Sequence, residues 1–561
     1  MKVILSRNFA VGLVVLLSFS SLAIFNVNAQ PRTITVPDDY ATIQEAIDAS
    51  TNGDAIYVKE GTYPDSISID KSISLIGENP ATTKIIGDYR LNGTVVLIQH
   101  NYASITGFTI QPSAYSYSRK GVHLLHVTHC SISDNIFLDN GIGVWLYESS
   151  ENKITGNTIN GSDNRSYGIL ADYSPNNMIS NNQITDNHFG ISLSQSDGNT
   201  LHNNTIKNNH RIGLNIISNN NNISNNLVSD QQTGITLLGK NNILKANKIN
   251  NNTDSNFNIE WNTSWDASDF ENDIDSSNTI NGKPIIYWIN KQDKKVPEDA
   301  AFVVLVNCVN ITVENLKLSK NIPNISLVAT TNSIVQNNSI KVVHAGILFF
   351  GCSNNTISNN FVFDGGRGIH LFSSFQNIIT TNSIKNCSRA IKLKASDENI
   401  ISSNIVSGNN FIGIDLDGSN SNKFFHNMIS NCEQMALWVW NDASENLFYF
   451  NNFVNNTTNV EAYISDFQKF PINIWDNGTI GNFWSDYTGL DINNDGLGDS
   501  PYIIDENNQD NYPLMTPVLI MDPTFTPEPE LFPTTLVVAS IAIVVVGLGI
   551  LAYYKKYKRR S

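Results

Sequence analysis

At 561 residues the chain is longer than one ordinary globular core supports, so it is either several domains or an architecture that grows by repetition. Its formal net charge is −16, and the soluble part is more acidic still because Lys555, Lys556, Lys558, Arg559 and Arg560 gather at the very end; such a surface argues against nucleic acid as a partner. Five cysteines, an odd count, exclude a fully paired disulfide framework.

Residues 1–29 open with Lys2 and Arg7, continue as an apolar run from Phe9 to Phe25 and finish at Val27-Asn28-Ala29, the layout of a cleavable signal peptide. An uncleaved anchor is the alternative, and both export the chain. Residues 30–94 are expected to be an N-terminal cap with the first coils. Ile34 to Val36 reads as a strand, Asp39 to Ala49 as a helix with Ile43, Ala46 and Ile47 on one face, and Ala55 to Val58 and Ser72 to Ile76 as strands. A helix there covers a strand edge that would otherwise be open to pairing.

From residue 95 to 454 two phrases alternate. One is Gly-apolar-x-apolar, as in Gly346 to Phe349, Gly368 to Leu371 and Gly413 to Leu416; the other is Asn-x-apolar-x-x-Asn-x-apolar. The second asparagines of the latter stand at Asn338, Asn360, Asn382, Asn404, Asn427 and Asn451, at intervals of 22, 22, 22, 23 and 24, with earlier corners at Asn135, Asn157, Asn182, Asn204, Asn226 and Asn247. Alternation of period two belongs to strands with one buried face, and a unit this short cannot bury that face alone, so coils must stack as an all-β parallel solenoid. Stacking at about 4.8 Å turns equivalent positions into columns: Ile and Leu inside, asparagine amide ladders at the corners. Cys308 and Cys352 lie two coils apart, as do Cys387 and Cys432; about 9.6 Å exceeds the reach of a disulfide, so these cysteines and Cys130 are expected to be buried free thiols.

The rhythm loosens over 250–300, which is expected to be an irregular coil with a longer loop on one continuous helix, Pro284 to Ile289 forming an irregular strand. Residues 455–515 form an end module and 516–533 a stiff spacer carrying Pro517, Pro523, Pro527, Pro529 and Pro533. Residues 534–554 are apolar, uncharged and long enough to span a bilayer, and the basic tail 555–561 follows; positive charge stays cytoplasmic, which turns the solenoid outward on a single C-terminal transmembrane anchor.

Ile34-Thr-Val-Pro-Asp-Asp-Tyr, Tyr57-Val-Lys-Glu-Gly-Thr-Tyr, Asn281-Gly-Lys-Pro-Ile-Ile-Tyr, the Asn-Asn-Thr-Ile-Ser-Asn-Asn corners, and Asn482-Phe-Trp-Ser-Asp-Tyr through Asp510-Asn-Tyr-Pro-Leu-Met together resemble NosD-type right-handed parallel β-helix proteins. These belong with the carbohydrate-binding and sugar-hydrolase repeats of the pectin-lyase-like fold. The resemblance spans about Ile34 to Met515. It implies a right-handed helix; for function it leaves polysaccharide enzyme, binding protein and copper-site accessory protein open. Export, many Asn-x-Ser/Thr sequons and the C-terminal anchor resemble archaeal surface proteins.

In each Gly-apolar-x-apolar-x phrase the two x residues point outward. They are bland through the middle of the chain, then become Leu348/Phe350, His370/Phe372, Lys392/Lys394, Asp415/Asp417 and Trp438/Trp440. Aromatic faces stack on sugars and charged groups bind hydroxyls or carboxylates, so Trp438, Trp440, Phe372 and Phe350 are candidate substrate-binding residues. Asp415 and Asp417, with Cα atoms about 7 Å apart, are candidate catalytic carboxylates, with Lys392, Lys394 and His370 beside them. Lysines one rung away favour ionised carboxylates, the opposite of what a general acid needs, so ion pairing or binding without turnover is the simpler reading.

Two metal sites are candidates. His123, His126 and His129 next to Cys130 offer copper ligands, although a strand histidine and two corner histidines need not converge. Asp491, Asn493, Asp495, Leu497 and Asp499 stand at positions one, three, five, seven and nine of a loop turned by Gly496, a calcium pattern that lacks the bidentate Glu at position twelve. The reading that results is a membrane-anchored surface β-helix that binds polysaccharide or glycoprotein, or acts as a structural spacer; a hydrolase or lyase of the pectin-lyase-like group and a copper-site accessory protein are the alternatives.

Overall fold

The repeated phrases pair with copies of themselves. In the computed structural model, which describes residues 30–88, 90–114, 118–161, 165–260, 267–463 and 471–522, Ile347, Ile369, Ile391, Ile414 and Leu437 lie in register on consecutive parallel strands. These residues form an all-β right-handed solenoid of about 19 turns with coils of about 22 residues. Along the first part, one face is an 11-stranded sheet from Thr33–Val36 to Asp273–Ile274 and another a 10-stranded sheet from Ile67–Ile69 to Asn321–Ile322. The inward column is buried: Ile347, Ile369, Ile391 and Leu437 are all inaccessible to solvent.

Asparagine makes the corners for two separate reasons. At the bend itself the chain takes the left-handed conformation, as at Asn225 (φ 56°), Asn337 (φ 55°) and Asn359 (φ 54°), where a short polar side chain lowers the cost. One residue on, the ladder asparagines satisfy backbone groups that strands leave unpaired at a corner. The Asn360 backbone N–H and Nδ2 both donate to Asn382 Oδ1 at 2.9 Å, while Asn382 Nδ2 donates to the Ile357 carbonyl at 2.9 Å and to Asn404 Oδ1 at 3.0 Å. A second ladder runs through Asn355, Asn377, Asn399, Asn422, Asn446 and Asn473.

Both ladders close in the end module. Asn508 Oδ1 accepts from Asn473 N at 2.9 Å, and Asp510 Oδ2 accepts from Asn482 N at 2.7 Å and from Trp484 Nε1 at 2.9 Å. Above the last coil, Phe453, Trp484 and Tyr502 stack with successive centroids 4.3 Å apart, which covers the core where no further coil follows. At the other end the expected helix is present as Ile43–Ala49, with Ile43, Ala46 and Ile47 buried. It starts four residues later than the apolar spacing suggests, because Thr42 and Glu45 make a reciprocal capping box and Asp39 is spent accepting from Thr35 N at 2.7 Å.

The expectation of one continuous helix needs correction at 250–300. Thr279–Ile280 and Lys283–Ile289 pair antiparallel, with Ile280 opposite Lys283 across a turn in which Asn281 (φ 49°) and Gly282 (φ 80°) are both left-handed. This two-residue Asn-Gly hairpin turns the chain back, the 11-stranded sheet ends at Asp273–Ile274, and an 8-stranded sheet begins at Gln292–Lys295. The buried side chains accordingly form two cores, and the outward face of the second stack at Val304, Val306 and Val328 joins the first core. The strand expected at Pro284 to Ile289 is therefore regular, and pairs in parallel with Phe302–Val306.

All five cysteines are free and buried. Burial pushes the Cys352 and Cys387 thiols up to about 12, so these sulfurs are inert space-fillers. Among the described residues no helix is long and apolar enough to cross a membrane. The signal peptide expected at 1–29 and the spanning stretch expected at 534–554 lie outside the described residues.

The ladder end supplies a test. Asp510 is fully buried, and desolvation, only partly offset by its hydrogen bonds from Asn482, Trp484 and Tyr512, pushes its carboxyl up to about 6. A carboxyl whose folded value exceeds its unfolded value stabilises the fold most below about pH 4, and this contribution is lost as pH rises through about 6. The loss expected is roughly 2–3 kcal/mol between those limits. Denaturation midpoints from pH 4 to 7 should fall along that range in the natural protein and flatten in Asp510→Asn; parallel profiles for the two would assign the slope elsewhere.

Candidate functional site

Parallel stacking builds the outward face of the second stack into two columns, one reading Leu348, His370, Lys392, Asp415, Trp438 and the other Phe350, Phe372, Lys394, Asp417, Trp440. The lysine-over-aspartate register expected from the 22-residue spacing is thus present, with Lys392 opposite Asp415 and Lys394 opposite Asp417. Asp415 has no solvent exposure, and Lys392 Nζ reaches its Oδ2 at 3.1 Å. Trp440 Nε1 donates to Asp415 Oδ1 at 2.8 Å, and Asn441 Nδ2 donates to Asp417 Oδ1 at 2.7 Å. Lys392 also lies 3.6 Å from Asp417, and the more exposed Lys394 lies 3.9 Å from it.

Two arginines that the sequence reading did not select complete the cluster. Arg389 Nε stands 3.3 Å from Asp415 Oδ2, and Arg367 is its register partner one coil earlier. Neither Arg389 Nε nor Asp415 Oδ2 makes an aligned hydrogen bond, so the two meet as charges only. Both arginines directly precede the small residue of the repeated phrase, Gly368 or Ala390, and that shared position 22 residues apart was the available signal. Arg389 also lies over the rings of Phe411 and Trp438, at 5.2 and 5.8 Å, and Lys392 over Trp440 at 5.1 Å.

The result is a cation-rich patch on an acidic protein. Arg367, Arg389, Lys392 and Lys394 gather around Asp415 and Asp417, and His370, buried among them, is held neutral: burial first, then Arg367, Lys392, Lys394 and Arg389, keep its pKa well below the usual imidazole value. His370 Nε2 has no hydrogen-bond partner. Trp438 and Trp440 are half-buried, with parallel indoles 5.0 Å apart, and leave one flank of the patch aromatic. Phe350 and Phe372 are placed differently from the expectation for substrate-binding residues. They are only 6% and 9% exposed, stack on one another at 5.4 Å, and pack with the core of the first stack beside Phe270, so that the elbow between the stacks covers them.

The three histidines considered for copper are each committed to a different neighbour. His123 is buried and stacked on Trp145 with centroids 4.4 Å apart, His126 Nδ1 lies 3.1 Å from Glu148, and His129 Nε2 lies 2.8 Å from Glu151. Burial pushes the nearby Cys130 thiol up to about 11, away from the thiolate a metal needs. In the loop considered for calcium, Asp491 Oδ1 and Oδ2 accept from the Asp495 and Gly496 amides at 3.1 and 2.9 Å, Asn493 Oδ1 from Asp495 N at 2.9 Å, and Asp499 Oδ2 from Ile492 N at 2.6 Å. Among the described residues no three His, Cys, Asp or Glu side chains come together as a metal ion requires.

This coil architecture has a counterpart. The profile of the periplasmic copper-binding protein (NosD) family matches residues 47–222 and 299–489, well over half of the chain. The chain belongs to the NosD family. Its resemblance to that family, expected from the corner phrases, is therefore established. The interval between the matched segments, 223–298, contains the hairpin that divides the two stacks. Among the described residues His123, His126 and His129 each hold a different partner and no three ligand side chains converge, so they do not fit the copper of the family description.

Over 143 residues the chain is 26% identical to a cell surface glycoprotein of Methanothermus fervidus, a match that covers 25% of this chain and 23% of that protein. Among solved structures, an alginate lyase from Paenibacillus sp. is 15% identical, with a TM-score of 0.32, over 55% of this chain and 95% of that one. An exopolygalacturonase from Thermotoga maritima is 10% identical, with a TM-score of 0.29, over 60% and 86%. Likeness at that level says nothing about what a NosD-family chain of this sequence acts on.

Proposed function

We propose that this NosD-family protein is displayed at the cell surface and binds glycan, as free polysaccharide or as the sugar of a glycoprotein, along the outer face from Arg389 to Trp440. The observation that carries the reading is the pair of parallel, half-exposed indoles of Trp438 and Trp440 flanked by the partly exposed Arg389 and Lys394, which offers aromatic surface and hydroxyl-binding cations on one rigid sheet. Surface display is supported by the match to a cell surface glycoprotein. Anchorage through 534–554, with the tail 555–561 cytoplasmic, is supported by their apolar and basic composition. Binding without turnover is favoured, because Asp415 is inaccessible and Asp417 is almost so, which keeps both carboxylates from a scissile bond. In an array of polysaccharides and glycoprotein glycans, Trp438→Ala is expected to weaken retention of the full-length protein at least about tenfold, or ~1.4 kcal/mol. Thermal melting of the same variant controls for folding. Retention of no glycan by the natural protein, or equal retention by the variant, overturns the reading.

A further inference from the structure

The elbow between the two stacks encloses a cleft of about 460 Å³, lined among others by Arg211, Gln232, Thr236, Asn258, Glu260 and His344. None of Arg211, Thr236, Asn258 or Glu260 belongs to the patch around Trp438 and Trp440, so the cleft stands independently of that patch. Its floor is the elbow end of the first stack's outward column, Thr236 and Asn258, which continues away from the cleft as Asn215 and Ser192, and it is bounded by Ile322, the register partner of Asn258, and by His344.

Away from the elbow this polar column satisfies itself: Asn215 Nδ2 donates to Ser192 Oγ at 3.1 Å. Inside the cleft that pairing stops. Thr236 is 3% exposed, yet its Oγ1 has no hydrogen-bond partner, and the buried Asn258 Oδ1 has none either. Buried hydroxyl and amide oxygens are seldom left unpaired, because each costs desolvation without return. Arg211 and Glu260 line the same cleft and form no ion pair. Arg211 is instead held 5.5 Å over the ring of Phe189, and Glu260 Oε1 accepts from Asn258 Nδ2 at 2.9 Å.

We infer that this cleft is a second sugar site, which takes one neutral sugar unit through its hydroxyls. A sugar ring presents adjacent groups that both donate and accept. The cleft answers with donors at Arg211 and Gln232, acceptors at Glu260 and Asn258 Oδ1, and Thr236 able to do either. The charges of Arg211 and Glu260 balance, which favours a neutral unit over an acidic one. The volume falls within the roughly 300–1,000 Å³ common for small-molecule sites. The walls at Ile322 and His344 belong to chain that follows the hairpin at Asn281-Gly282, so the cleft needs that turn to bring the second stack beside the first.

The experiment is saturation-transfer NMR on the full-length protein with free glucose, galactose, mannose, N-acetylglucosamine and glucuronate, followed by titration of whichever responds. One of the four neutral sugars is expected to receive saturation. Its affinity should fall about tenfold in Thr236→Val and in Arg211→Gln, as loss of a paired hydrogen bond predicts, and the same fall should be seen when both changes are made on a Trp438→Ala background. Thr236→Val keeps the side chain's shape and removes an unpartnered hydroxyl, so its melting temperature should be unchanged or higher. Absence of transfer to all four neutral sugars, preference for glucuronate, or affinity untouched in both cleft variants overturns the inference; loss in Trp438→Ala alone would assign the sugar to the patch around Trp438.

Discussion

Replacing Asn382 by alanine is expected to destabilise the second stack by about 3–5 kcal/mol, although the side chain lost is small and apolar packing is untouched. The reason is what remains. The Asn360 backbone N–H, now bonded to Asn382 Oδ1 at 2.9 Å, and the Ile357 carbonyl, now bonded to Asn382 Nδ2 at 2.9 Å, would both be buried without partners. Each such orphan costs about 1–3 kcal/mol. Asn382→Asp sharpens the test, because an ionised aspartate keeps the acceptor, loses both donors and sets a buried charge against Asn404 Oδ1, to which Asn382 Nδ2 now donates at 3.0 Å. Its destabilisation should exceed that of alanine at pH 7 and shrink on acidification, because a protonated carboxyl regains one donor. Denaturant midpoints and hydrogen exchange at the Asn360 amide measure both effects. A loss under about 1 kcal/mol in Asn382→Ala would mean that water or backbone relaxation satisfies the corner and that the ladder is ornamental.

The same ladder explains why so much of the fold was legible in the sequence. A residue that must repeat every coil to satisfy its neighbour leaves a periodic trace, and the strand phrases between asparagines fix register to the residue, as the Lys392–Asp415 pairing shows. Features that occur once leave no such trace. Asp510 ends a ladder but sits in an irregular module, where nothing in the spacing ties it to Asn482. The hairpin is a different case, because Asn281-Gly282 between apolar residues is a strong turn signal that was outweighed by the apparent continuation of the 22-residue rhythm. The elbow follows from that turn, and with it the burial of Phe350 and Phe372 and the cleft at Thr236, since these depend on how two stacks meet and not on any position within a coil.

Within the cationic patch, the sign of one measurement separates a structural carboxylate from a chemical one. Asp415→Ala is expected to destabilise by about 3–5 kcal/mol, since it leaves the nearly buried Lys392, the partly buried Arg389 and the Trp440 N–H without their common partner. Asp415→Asn should cost less, because an amide oxygen still accepts from Trp440. Adding Lys392→Met to Asp415→Ala removes the stranded charge while keeping the packed stem, and should recover most of the loss, with a coupling of about 2 kcal/mol or more. A carboxylate maintained for turnover behaves in the opposite way: functional sites are held at a cost in stability, so its removal is neutral or stabilising. Denaturation of the two single variants and the double variant at one pH decides the matter, and a neutral or stabilised Asp415→Ala would return Asp415 and Asp417 to the list of catalytic candidates. The expected outcome instead makes the buried ion pairs the rigid floor on which Trp438 and Trp440 are held parallel, which is the role the proposed glycan binding asks of them.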